Sequence, residues 1–115
     1  MYMYIKKIFI PHIYVLIFFF ILNTISMYTD TNGWSGFEYE DKWLVIDALY
    51  YTIITHTTVG YGDILPRWRY WKMMGAIHSL IVFTLLVNEI SDIFKFKKKK
   101  NVLNNENENK EDSKF

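Results

Sequence analysis

Two long stretches without a charged residue constrain this chain more than anything else in it. Ile8 to Tyr28 is one and Met73 to Asn88 is the other, while the charged residues crowd the segments around them and the tail. A water-soluble fold of 115 residues would alternate apolar and polar positions more finely. As a helix the first stretch is about 31 Å long, enough to cross the hydrocarbon of a bilayer. The second reaches ample length once Trp68 to Lys72 and Glu89 to Phe94 are added. The chain therefore reads as a membrane protein with an outer helix over 8–28 and an inner helix over 67–94. The first stretch is long for a signal peptide, and no Ala-x-Ala site follows it. Lys6 and Lys7 precede the first span, and Lys95 with Lys97 to Lys100 follows the second. Excess positive charge stays on the cytoplasmic side, so both termini are expected there.

Between the spans, 43–56 has a helical pattern but is too short to cross a bilayer. It suits a half-membrane, re-entrant helix. Asp47, placed in its first turns, would favour the positive helix end and cap free N–H groups. Its C-terminal end would bring a partial negative charge toward a cavity. Thr57-Thr58-Val59-Gly60-Tyr61-Gly62-Asp63 follows. Glycines at alternate positions permit dihedrals that other residues resist. Successive carbonyls of an extended segment could then point one way. Four copies around an axis would stack rings of oxygens able to replace the water shell of a cation. Thr58 would add its hydroxyl as the innermost ring, and Tyr61 would point away from the axis as a brace. Gly-Tyr-Gly-Asp alone would mark a turn, but non-helical backbone between two spans favours the re-entrant reading.

Thr58-Val59-Gly60-Tyr61-Gly62 matches the filter signature of the potassium channel family in full, and Asp63 follows as that signature expects. The chain resembles that family from Ile8 to Phe94. The wider run from Thr55 to Pro66 is similar to the miniature potassium channels encoded by large algal viruses. Ile46-Asp47, and Lys72 with His78, fall at similar spacings. The resemblance implies an all-α membrane protein. Two transmembrane helices would flank a re-entrant pore helix (43–56) and a selectivity filter (57–63), assembled as a homotetramer in a lipid bilayer. It implies passive K+ conduction down the electrochemical gradient, with K+ as the permeant ion, no cofactor and no catalytic residue. Thr58, Val59, Gly60, Tyr61 and Gly62 would coordinate K+, supported by His56, Thr57, Asp63, Asp47, Tyr50 and Tyr51. A viral origin would place the protein in a host plasma membrane or an internal virion membrane. Many related channels carry a glutamate or a hydrophobic residue where Ile54 stands. Ile54 offers no carboxylate to Asp63, so bracing would fall to packing and to other partners. A nonselective cation channel and a non-conducting, pore-like regulatory subunit are the alternatives, and the intact signature argues against both.

The remaining positions fill in around this frame. Residues 1–7 are an interfacial arm, either a slide helix or a frayed end. Residues 29–42 form a turret, with a turn at Asp30 to Gly33 and interfacial contacts for Trp34 and Phe37. Asp30, Glu38, Glu40 and Asp41 either give the outer mouth a negative field or keep a loop wet. Pro11 is expected in the first turn of the outer helix, and Pro66 is expected to start the inner one. His12 is expected at the interface, and His56 to hydrogen-bond or pack at the base of the filter. Gly75 and Ala76 allow close helix approach. His78 and Ser79 are the polar candidates of the inner helix; His78 is either functional or an interhelical bond. Glu89 and Asp92 either ring the inner mouth or pair with nearby lysines. Residues 95–115 read as a basic anchor and a disordered, asparagine-rich tail.

Other classes are excluded on simple grounds. The chain has no cysteine, hence no disulfide or thiol chemistry. No serine or cysteine nucleophile lies near His56 and Asp63 in sequence, which argues against a hydrolase. A net charge of +1 and a lysine run abutting a span give no nucleic-acid surface. No arginine-periodic voltage sensor is present.

Overall fold

The computed structural model describes residues 2–36 and 41–114. In chain order it has α1 (Tyr2–Thr29), a 3-10 turn (Thr31–Gly33), β1 (Trp34–Ser35), α2 (Asp41–His56), β2 (Leu65–Pro66) and α3 (Arg69–Asp112). The fold is helical with two long apolar helices, α1 and α3, each of a length and composition able to cross a membrane. The chain divides into two compact units, Met1–Phe83 and Thr84–Phe115.

In the first unit, helix begins earlier than the apolar run does. Nothing in Tyr2 to Lys7 breaks a helix, and the Lys6 ammonium lies 4.6 Å from the centre of the Tyr2 ring, one turn back. The arm is therefore the first turns of α1. Pro11 in consequence lies inside α1 rather than in its first turn. There it removes one backbone hydrogen bond, a loss tolerated in membrane helices where neighbours or water take up the freed carbonyl.

α1 packs on α2 through small and polar residues. Ser26, Met27, Ala48 and Thr52 are all fully buried. The Asn23 side-chain amide donates to the Thr52 hydroxyl at 2.9 Å, and that hydroxyl donates to the Ala48 carbonyl at 2.7 Å. Short side chains let two helices approach closely, and an amide in such a contact must find its partner across the helix pair. Met27, Trp34, Leu44, Ala48, Tyr51 and Ile64 form the core, with Phe20, Tyr50 and Trp71 against it. Trp34 is thus a core residue, edge-on to Tyr51 at 4.8 Å, and not the interfacial residue expected. By contrast Ile10, Ile13, Ile17, Phe18, Ile21 and Ile25 on α1 are exposed and apolar, a surface made for something other than water.

Among the described residues a short strand pair joins the turret to the segment before α3. Trp34 pairs with Pro66 and Ser35 with Leu65, antiparallel. Pro66 therefore sits in a two-residue strand, and α3 starts at Arg69 instead of at Pro66. A proline lacks an N–H but can still sit in an edge pair. Arg67 continues the clasp, its N–H donating to the Gly33 carbonyl at 2.6 Å. Phe37, Glu38 and Glu40 lie outside the described residues, and Asp41 is described only as the start of α2.

The second unit is the remainder of α3. Helix continues to Asp112, where a disordered tail was expected. No glycine or proline follows Gly75 to stop it, and the lysine, glutamate and leucine content favours helix. From Ser91 to Lys114 every described side chain is exposed, so propensity rather than packing carries this stretch.

Candidate functional site

α2 ends at His56 and delivers the chain into 57–63 with its last carbonyls occupied. The Thr57 N–H and hydroxyl both donate to the Ile53 carbonyl, at 2.9 and 2.8 Å. The Thr58 N–H donates to Thr55 at 3.1 Å and the Gly60 N–H reaches back to Ile54 at 3.1 Å. The Thr57 hydroxyl is spent on the helix, whereas Thr58 has no such tie and stays exposed.

The backbone then alternates. Thr58, Gly60 and Gly62 have φ of 60°, 52° and 80°, and the residues between them are not in this region. Left-handed residues at every second position turn successive peptide planes back and forth, which brings their carbonyls toward one side. Glycine occupies two of the three positions because it bears no Cβ penalty there. Thr58 is the exception. A β-branched residue at positive φ is strained by about 1–3 kcal/mol and persists only where its surroundings over-determine it.

Around the far end of the segment stand Tyr50 and Gly36. The Tyr50 hydroxyl donates to the Asp63 carboxylate at 2.6 Å. That bond holds the Asp63 carboxyl below its ordinary value and pushes the Tyr50 hydroxyl up to about 12. Ile54 indeed supplies no carboxylate, but the brace is a hydroxyl from one helical turn earlier. A Tyr thirteen residues before an Asp is the sequence signal for it, legible only once the chain is seen to fold back. Gly36, at φ +93°, faces the Asp63 carbonyl so closely that any Cβ would collide with it. Sequence reading missed Gly36.

The turret carries a second acidic anchor. The Asp30 carboxylate accepts from the Trp71 indole at 2.8 Å and the Tyr70 hydroxyl at 2.9 Å. The Trp71 bond is the main reason that its carboxyl is held below the usual range. Asp30 is therefore a clasp between the turret and α3.

The three histidines of the chain meet. Nδ1 of His12 lies 3.1 Å from Nε2 of His56, and Nδ1 of His56 lies 3.2 Å from Nε2 of His78. His12 is half-buried here, and His78 is buried and stacked flat on Phe19 at 4.0 Å. Tyr51 is buried, with its hydroxyl against Gly75. Ser79 lines a groove of about 740 Å³ with Tyr51, Ile54, Thr55, Thr58 and Gly60.

Asp47 is the seventh residue of α2, because the helix starts at Asp41, and so lies beyond capping reach of the free N–H groups. Glu89 and Asp92 belong to the second unit. Asp92 is 3.9 Å from Lys95 on an exposed face, a pair worth little in itself. Among the described residues no group of three acidic, histidine or cysteine side chains could hold a metal ion.

The family described as "Ion channel" matches residues 13–98. The chain is 30% identical over 79 residues to the potassium channel protein kcv of Paramecium bursaria Chlorella virus 1, covering 69% of this chain and 84% of that one. It is 38% identical over 53 residues to a voltage-gated potassium channel of Aeropyrum pernix, covering 44% and 18%. It is 35% identical over 82 residues to two-pore potassium channel 5 of Arabidopsis thaliana, covering 70% and 19%. The chain thus spans less than a fifth of the archaeal channel and about a fifth of the plant one, but most of the viral one. No solved structure gave a significant match. A match over most of the chain leads to one conclusion: this is a membrane protein of the ion channel family, similar to potassium channels that include a viral one, and not an enzyme.

Proposed function

We propose that four copies of this chain form a potassium-selective pore that conducts K+ passively. The observation that carries the reading is the alternation of left-handed backbone at Thr58, Gly60 and Gly62 within an intact Thr-Val-Gly-Tyr-Gly run. On this reading α2 is the pore helix and residues 57–63 are the filter. Each chain contributes carbonyls of Val59, Gly60, Tyr61 and Gly62 and the hydroxyl of Thr58. Four such segments offer oxygens in place of a hydration shell, and repulsion between ions in adjacent sites expels them. The negative ends of four α2 helices favour the dehydrating cation at the inner entrance. Tyr50 and Gly36 hold Asp63, and with it the outer end of the filter.

Fourfold assembly is supported by what one chain leaves open. Val59 is 53% exposed and Tyr61 is 73% exposed. A groove of about 740 Å³ behind the filter is unfilled by the chain's own residues. A neighbouring copy's aromatic ring would close such a groove. The lysine clusters before α1's apolar run and after that of α3 support cytoplasmic termini.

The test is purified protein in planar bilayers with K+ on one side and Na+ on the other. The reversal potential is expected to follow K+. Equal permeability for Na+ would overturn selectivity and favour a nonselective pore. Absence of any current from correctly assembled protein would favour a regulatory subunit.

A further inference from the structure

The filter's inner end is held by α2, and α2's last residue is held by both long helices. His56 is the final residue of α2, two before the strained Thr58. Thr57 and Thr58 lean on the last turn of α2 through the Ile53 and Thr55 carbonyls. His56 itself uses both ring nitrogens, one toward His12 on α1 and one toward His78 on α3. A neutral imidazole has one N–H and one lone pair. The two gaps can both be filled if the three rings donate in one direction along the chain. Nothing in the filter signature calls for this arrangement, since none of these residues belongs to the signature.

We propose that His12 and His78 are positioning residues for the innermost ion site, acting through His56 on the backbone of Thr58. The claim rests on the K+ channel reading above, because it assigns Thr58 to an ion site. The physical reason is the strain at Thr58. A β-branched residue in left-handed backbone relaxes unless the helix end before it is immobilised. A pore helix tied at its tip to two spans cannot swing to permit that relaxation. Loosening the tie lets the four hydroxyls spread, and the site loses grip on an ion of K+ size.

The two end histidines use different nitrogens, and this gives a test that packing cannot imitate. His12 offers Nδ1, an atom bonded to Cγ, so the amide of asparagine replaces it at the same distance from the backbone. His78 offers Nε2, one bond further out, so glutamine replaces it. H12N and H78Q are therefore expected to keep the tie, and H12Q and H78N to lose it. The probe is Ba2+, close to K+ in size but doubly charged and so held longer at a site that suits K+. Internal Ba2+ inhibition is measured at matched K+ on tetramers of normal yield. In H12Q and H78N the inhibition constant is expected to rise about three- to tenfold, the size of one lost hydrogen bond. H12N and H78Q are expected to stay near wild type. In a His56→Leu background, changing His12 or His78 should add nothing. A purely volumetric role would rank glutamine above asparagine at both positions, and that ranking would overturn the inference. So would equal effects of the two amides at each position.

A second measurement needs no current. Nitrogen NMR with isotopically labelled histidine reads N–H···N bonds through the coupling across them. Coupling in both gaps is expected in the wild-type protein. Its absence in either gap overturns the tie even where the protein conducts K+. Coupling in a protein that conducts no K+ would leave the tie standing and remove the channel reading.

Discussion

On the proposed channel reading, a single hydroxyl separates a braced filter from a merely packed one. Tyr50 and Phe would fill the same space, but only Tyr50 can donate to Asp63 at 2.6 Å. A hydrogen bond to an ionised carboxylate is stronger than one between neutral groups. Tyr50→Phe is therefore expected to keep K+ over Na+ selectivity, since the carbonyl-bearing residues are untouched. Single-channel openings should shorten several-fold, because the outer end of the filter loses its tether. Bilayer recordings at symmetric K+ decide this; unchanged open times would show that packing alone braces Asp63. Residue identity in the signature was legible directly, because a left-handed backbone restricts the choice to glycine at Gly60 and Gly62. Tyr50's partner was not legible, because a hydroxyl and a carboxylate thirteen residues apart meet only after the chain reverses through 57–63.

At the scale of elements, the turret and the end of α3 behave in opposite ways. The turret is short, yet it is clasped at three points: the β1–β2 pair, the Arg67 to Gly33 bond, and the Asp30 carboxylate with Tyr70 and Trp71. The Asp30 carboxyl in the folded protein titrates below its ordinary 3.8. A depressed folded value means that the stabilisation is fully present above the unfolded value and is lost as pH falls through the folded one. Asp30→Asn should therefore lower the thermal midpoint at neutral pH, and the gap to wild type should close as pH drops below 3.8. Thermal melts in detergent across this range check it; a gap independent of pH would show that the charge of Asp30 is irrelevant to the clasp. The last turns of α3, by contrast, are exposed throughout among the described residues. A helix that rests on propensity alone contributes little to the fold. Removing the chain after Lys100 should leave tetramer yield and single-channel current unchanged. Loss of current at normal yield would assign the tail a role in conduction.

On the fourfold reading proposed above, the whole molecule is incomplete as one chain. Apolar residues along α1, the aromatic ring of Tyr61 and an open groove behind the filter are all surfaces awaiting cover. Lipid can cover the first, but a filter built of oxygens around an ion needs other filters beside it. Native mass measurement from mild detergent should give four times 13.9 kDa. A stable monomer or dimer that still conducts would overturn the fourfold pore.

The order of the amino acids by itself determined the two long apolar helices, the short helix between them and the glycine-bearing segment that follows it. Each follows from local physics: uninterrupted apolar length, a pattern too short to cross, and glycines where φ must be positive. Tertiary structure decided the rest. It drew Trp34 into the core, made Pro66 a strand residue, gave Tyr50 to Asp63 and joined His12, His56 and His78. These contacts are long in sequence and depend on where three helices stop and turn. A histidine in an apolar stretch reads alike whether it meets lipid headgroups, water or another imidazole. Only the packing of α1 and α3 against the end of α2 distinguishes them.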